Sequence, residues 1–194
     1  MEQKTHVEIR NGINYQVSYR QIRYPRLEFK SGDLLAVLPK SGINVDEFIK
    51  KHERWITNKA AVIKQAIEEA KVRKLQMRPI DYNFKSLVSS LSLDFCREYG
   101  FRVNKLYIRR MNSKWASYSK RGNLTVNALL KYLPDSLINY VIFHEVAHSV
   151  EREHNKRFWR ILSKKFPTYR NLENDLLVYW FLIKRTPICS MPNV

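Results

Sequence analysis

The sequence predicts an α+β protein, and three observations carry that reading. Period-two alternation dominates the chain before residue 40, helical periodicity takes over from about residue 45, and short strand-like stretches return after residue 104, ahead of three helical segments. With 194 residues, 44% hydrophobic and 12% aromatic, the chain can build a core and lies outside the composition of disordered segments.

The first strands are "HVEIR", "INYQVSYR", and then "RLEFK" and "LLAVLP" on either side of "SGD". Alternation with a glycine-containing turn predicts a small antiparallel sheet. From "NVDEFIKKHERWITNKAAVIKQAIEEAKVRK" the period becomes helical, giving one long helix or two, with Val45, Phe48, Ile49, Trp55, Ile56, Ala60, Ile63 and Ala66 as the inward stripe. Pro79, after Met77 and Arg78, punctuates the chain, and "DYNFKSLVSSLSLDFCREYG" reads as a helix stopped by Gly100. A boundary near residue 75 divides a β-rich N-terminal subdomain with its long helix, residues 1–75, from a second domain, residues 76–194.

Next come "KLYIRR", "WASYS" and "LTVN", strand-like stretches with "KRGN" as the turn around Gly122. Pro134 and Asp135 open a strongly apolar helix, "SLINYVIFHEVAHSV", in which Leu137, Tyr140, Val141, Val146 and Ala147 should point inward. Two further helical stretches follow, "NKRFWRILSKKF" and, past Pro167, "YRNLENDLLVYWFLIKR".

Charge and cysteines bound the function. Thirty-five Lys and Arg against 18 Asp and Glu leave +17, which makes a polyanion such as nucleic acid a reasonable partner, with a merely solvated basic surface as the alternative. No apolar run is long enough to span a membrane and "MEQKTHVEIR" is no signal peptide, so a cytoplasmic protein without membrane partners is expected. Cys96 and Cys189 have no metal-knuckle spacing and are expected as free thiols.

The stretch "HEVAHSVEREH" holds three of the five histidines. Residues four apart on a helix lie about 40° apart around the axis and one turn along it, so His144 and His148 can turn their imidazoles to one ion. Glu145 falls on the neighbouring face, where it can reach a metal-bound water without being a ligand. His154 is a third candidate ligand, which would leave a zinc position open. On an unbroken helix it would point about 120° away from His148 and lie about 9 Å further along, so the helix must end first. The metzincin proteases share this histidine spacing and turn on a glycine at the position of Glu151, which this chain lacks.

The stretch "RRMNSKWASYSKRGNLTVNALLKYLPDSLINYVIFHEVAHSVEREHNKRFW" resembles the YgjP-like metallopeptidase family, related to the SprT and WLM groups among the zincins. The shared order is a tryptophan-containing strand, a glycine turn, an N-L-x-x-N strand, a proline, an HExxH helix and H-x-x-x-F-W; "WASYS" departs from the usual W-G-S-C-S. The resemblance implies a zincin-like core, an HExxH helix beside a small mixed sheet. It further implies one Zn2+ per chain on His144, His148 and His154, Glu145 as general base, and a peptide or protein substrate. It also implies an edge strand, Asn123, Leu124, Thr125, Val126 and Asn127, along which substrate would lie. Trp115 and Trp159 are read as core.

Three function classes follow. A zinc metallopeptidase, in which a metal-bound water activated by Glu145 attacks a peptide carbonyl, is favoured. A metal-dependent nucleoside triphosphate pyrophosphatase would use Arg109, Arg110, Lys114 and Lys120 for phosphate charge. A nucleic-acid-associated protein with structural zinc would need a fourth ligand, which neither Cys96 nor Cys189 is spaced to supply.

Overall fold

"Leu34-Leu35-Ala36-Val37-Leu38" does not alternate, and that run decides how the N-terminal sheet is wound. In the computed structural model, which describes residues 5–9 (backbone only), 12–30, 32–40, 42–79 and 82–187, the chain forms two compact units, residues 1–69 and 70–194. The first unit holds four strands, β1 (Thr5–Ile9), β2 (Ile13–Arg20), β3 (Arg26–Lys30) and β4 (Asp33–Pro39), in the order β1-β2-β4-β3. β1 with β2 and β3 with β4 are antiparallel, but β2 and β4 are parallel, with Tyr15 opposite Leu34 and Tyr19 opposite Leu38. The expected antiparallel sheet is therefore mixed. Leu34 through Leu38 are buried on both faces, which suits an interior strand rather than an edge. The chain accordingly carries β3 past the end of the sheet and turns back at Gly32 (φ 105°) to insert β4 beside β2.

One unbroken helix, α1 (Val45–Val72), covers this sheet. Ile49 and Ile56 pack on Tyr15, Val17, Leu34, Ala36 and Leu38. Ile63 and Ala66 are buried further along the same stripe, as expected. Trp55 is not part of it. The residue before Ile56 lies about 100° around the helix, and Trp55 stays 46% exposed, tilted against Phe29 at 6.0 Å.

The second unit opens with α2 (Phe84–Tyr99), capped by the Asn83 side chain accepting from Ser86 N at 2.9 Å and ended by Gly100 in the left-handed region. Strands β5 (Lys105–Arg109), β6 (Ala116–Tyr118) and β7 (Asn123–Asn127) follow, in the order β5-β7-β6. β7 runs parallel to β5 and antiparallel to β6. The winding of the first sheet recurs: a strand, a connection past the next position, a hairpin, and a final strand inserted between. "NLTVN" is therefore central, not the edge strand expected, because the 110–115 connection carries the chain across before β7 is laid down. The hairpin needs Gly122, at φ 74°, where an added Cβ would come within 2.8 Å of Asn104 Nδ2.

A 3-10 helix, Ala128–Tyr132, leads to α3 (Asp135–Ala147), followed by α4 (Lys156–Lys165) and α5 (Tyr169–Arg185). The start of α3 has no side-chain cap. Arg78 braces it, donating from Nε to Lys131 O (3.1 Å) and from Nη2 to Leu133 O (2.8 Å), and pairing with Asp135. Leu137, Tyr140, Val141, Val146 and Ala147 are all buried. Cys96 is a half-buried free thiol; Cys189 lies outside the described residues. No described helix is long and apolar enough to cross a membrane.

Candidate metal centre

Past its first turn α3 is apolar nearly all round, so His144 and Glu145 stand out on a helix whose second half is otherwise buried. His148 is its C-cap, still helical at φ −65°, ψ −10°, and so keeps the four-residue relation to His144. The helix then tightens. Ser149 N donates to Val146 O and Val150 N to Ala147 O, each at 3.0 Å, and Glu151 N also reaches Ala147 O at 3.0 Å. These bonds take up the last carbonyls, and the chain turns without a glycine. Asn155 starts α4, its side chain accepting from Arg157 N (2.9 Å) and Phe158 N (3.1 Å), which fixes the preceding His154.

The turn brings the three histidines together. One nitrogen from each of His144, His148 and His154 lies within 4.8 Å of the others. His144 Nε2 and His154 Nε2 are 2.9 Å apart, close to the roughly 3.3 Å that two ligands of a tetrahedral zinc with Zn–N bonds of about 2.0–2.1 Å require. His148 Nδ1–H donates to Glu151 O at 2.9 Å, a hydrogen bond that leaves Nε2 with the lone pair. Beneath all three lies Phe158, fully buried, its ring 4.7–4.9 Å from each imidazole.

The electrostatics suit a cation. Burial, reinforced by the neighbouring His154 and His148, holds the His144 imidazolium down to a pKa of about 3, and burial with His148 also lowers His154. Both rings are therefore neutral donors at pH 7. Burial pushes Glu145 up to about 7, against the opposing effects of a backbone hydrogen bond from Tyr118 and the charge of Lys114. Three imidazoles, one with its tautomer fixed by a backbone carbonyl, form a donor set that could hold a divalent cation with a position left open. Among the described residues no fourth His, Cys, Asp or Glu joins the group.

Around this centre the structure corrects one sequence expectation and extends another. Asn123 and Thr125 of β7 are half-buried, Leu124, Val126 and Asn127 are wholly enclosed, and β7 is paired on both sides, so its backbone presents no open edge. Asn127 instead holds the 111–114 loop: Oδ1 accepts from Met111 N (3.3 Å) and Leu129 N (3.1 Å), and Nδ2 donates to Met111 O and Lys114 O (each 2.8 Å). Trp159, expected as core, does pack partly buried against it, and it also meets His154. It lies 28° from parallel to His154 at 5.6 Å and donates from Nε1 to His154 O at 2.9 Å. Trp115, half-buried, meets Trp180 edge-on at 4.9 Å. Phe158 was marked in the sequence only as the Phe of H-x-x-x-F-W, and the Tyr118 amide and the Glu151 carbonyl had no signal there, since their roles exist only once the chain has turned.

Comparison with known proteins gives the family. The model of the family described as YgjP-like, metallopeptidase domain, matches residues 62–178, more than half of the chain. A stretch of 52 residues is 33% identical to UTP pyrophosphatase of Escherichia coli (strain K12), covering 27% of this chain and 31% of that protein, so the chain spans about a third of the length of this curated relative. Two solved structures are similar. The metallopeptidase zymogen of Pyrococcus abyssi abylysin has a TM-score of 0.44 and 24% identity over 47% of this chain and 93% of that one. The metallopeptidase zymogen of Methanocaldococcus jannaschii jannalysin has a TM-score of 0.40 and 21% identity over 51% and 96%.

Proposed function

We propose, from the premise that this chain belongs to the YgjP-like metallopeptidase family, that it is a zinc-dependent hydrolase cleaving peptide bonds, with His144, His148 and His154 holding one ion and Glu145 as general base. The observation that carries this reading is the convergence of three imidazole nitrogens within 4.8 Å, with the half-buried Glu145 next to His144 in the chain.

When bound, zinc supplies a Lewis acid and a water acidic enough to lose its proton near neutral pH. Glu145 takes that proton and later returns it to the leaving amine. The Tyr118 backbone N–H fixes the carboxylate for both transfers. In β6, Trp115 O accepts from Asn127 N and Ser119 N donates to Asn123 O, so residues 115, 117 and 119 turn their polar backbone groups toward β7. Those of Ala116 and Tyr118 then point away from it. β6 is the edge strand bordering the helix that carries Glu145, and an extended peptide laid along it would pair with Ala116 and with Tyr118 O.

A second reading, hydrolysis of a nucleoside triphosphate, has its own support. Residues 70–194 hold 23 Lys and Arg against 9 Asp and Glu, so +14 of the net +17 lies in the unit with the metal centre. A field of that sign concentrates anionic substrates, and one relative is a UTP pyrophosphatase.

Glu145→Gln tests both readings, since the amide is nearly isosteric but takes no proton. The zinc-loaded variant should keep fold and metal while losing about 10²–10⁴-fold in turnover, assayed on an unfolded polypeptide and on UTP. Cleavage of UTP alone would transfer the mechanism to the second reading. Wild-type turnover in the variant would remove Glu145 as base, and zinc-loaded wild type inert toward both substrates would defeat the hydrolase assignment.

A further inference from the structure

Of the three proposed ligands, His154 is the one with no regular element beneath it: His144 sits within α3 and His148 caps it, whereas His154 lies in the loop and is exposed. An exposed loop histidine loses side-chain and backbone freedom when it joins a metal, so something must hold it in place beforehand. The structure shows what does. The carbonyl of His154 accepts from Trp159 Nε1 at 2.9 Å, and its ring stacks on the Trp159 indole at 5.6 Å. Trp159 in turn stacks on Tyr169 at 5.0 Å and 23°, and the Arg170 guanidinium lies 5.9 Å from the Tyr169 ring. The first turn of α5 thus backs the first turn of α4, and α4 backs the loop.

We infer that Trp159 is a positioning residue for the metal centre, orienting His154 through its backbone carbonyl and its ring so that the third ligand is in place before the ion arrives. The inference rests on the metal reading above. A hydrogen bond to the carbonyl fixes the loop backbone, and ring stacking fixes the torsion that aims Nε2. Neither contact requires Trp159 to touch the ion or the substrate. Phe158 differs in kind, since it lies against all three imidazoles and serves the core as well.

The test is a double-mutant cycle on zinc affinity, measured by competition with a chromophoric chelator on the full chain. Trp159→Phe keeps the stacking and removes the N–H donor; Trp159→Leu removes both. One neutral hydrogen bond corresponds to a loss of about 3–10-fold, and loss of a partner orienting a ligand to about 10–100-fold, so the order wild type, Phe, Leu should appear in the dissociation constants. In a His154→Ala background the Trp159 substitutions should leave zinc affinity unchanged, because their effect passes through His154. Equal weakening in both backgrounds would mean that Trp159 only supports the fold, and zinc constants within about twofold of wild type in both Trp159 variants would overturn the inference outright. Should Trp159→Leu not fold, Trp159→Phe and the visible spectrum of its cobalt-substituted form still decide, a wild-type cobalt spectrum with wild-type affinity counting against it. Wild-type protein that binds no zinc would instead remove the metal reading itself, an outcome distinct from unchanged Trp159 variants.

Discussion

Replacing Asn127 should disturb the second unit far more than its place in a five-residue strand suggests. Asn127 is fully enclosed, and its side chain makes four hydrogen bonds, accepting from Met111 N and Leu129 N and donating to Met111 O and Lys114 O. Asn127→Ala leaves two amides and two carbonyls without that partner. At about 0.5–1.5 kcal/mol net for each neutral bond the loss is about 2–6 kcal/mol. The Met111 amide, at 3.3 Å, adds least, which lowers the expectation to about 1.5–4.5 kcal/mol, or roughly 3–18 °C in melting temperature for a chain of this length. Asn127→Asp sharpens the test. The carboxylate keeps the shape and both acceptors but turns an oxygen with no hydrogen toward Met111 O and Lys114 O, so near pH 7 it should be at least as damaging as alanine. Its folded-state pKa should lie above the unfolded value of about 3.9. The protonated form restores one donor, so stability is recovered at low pH and lost as pH rises through the folded pKa. Urea denaturation of the three proteins at pH 4.5 and 7.5 reads this directly. Both variants within about 1 kcal/mol of wild type, or an aspartate that follows asparagine at each pH, would refute the argument that this network holds the 111–114 loop.

Two further outcomes are expected. Purified protein should carry about one zinc per chain by elemental analysis, lost in His144→Ala and in His148→Ala and weakened in His154→Ala; wild type still metal-free after zinc addition would contradict the site. In the metal-free protein, the lowered pKa values of His144 and His154 mean that the unfolded chain binds more protons below about pH 6.5, so these groups withdraw stability as pH falls from there. Glu145, raised to about 7, acts oppositely, and its contribution is lost as pH rises from about 4.5 to 7. Metal-free Glu145→Gln should therefore gain on wild type by up to about 1.4 kcal/mol per pH unit across that window, and a difference that does not move between pH 5 and 7 would show that the carboxyl is not raised.

Much of this protein was legible in its sequence, because the signals were local. Alternation along β2, the seven-residue spacing of Ile49, Ile56 and Ile63, Gly100 as helix stop and the four-residue spacing of His144 and His148 each concern residues within a turn or two of one another, where backbone geometry fixes which side chains share a face. Trp55 shows the limit of that reading, since an aromatic beside a buried position is apolar enough to look buried and only packing decides. Lateral order lay beyond reach for a different reason. Alternation along β7 reports its two faces but says nothing of its two edges, so that strand's central place, like the parallel pairing of β2 with β4, depended on which route each connection took. The same holds for the metal centre. Sequence spacing could require that the helix end before His154, yet the tightened turn at Val150, the cap at Asn155 and the indole of Trp159 bring that ring to within 2.9 Å of His144 only because α4 folds back against α3, a contact no local rule encodes.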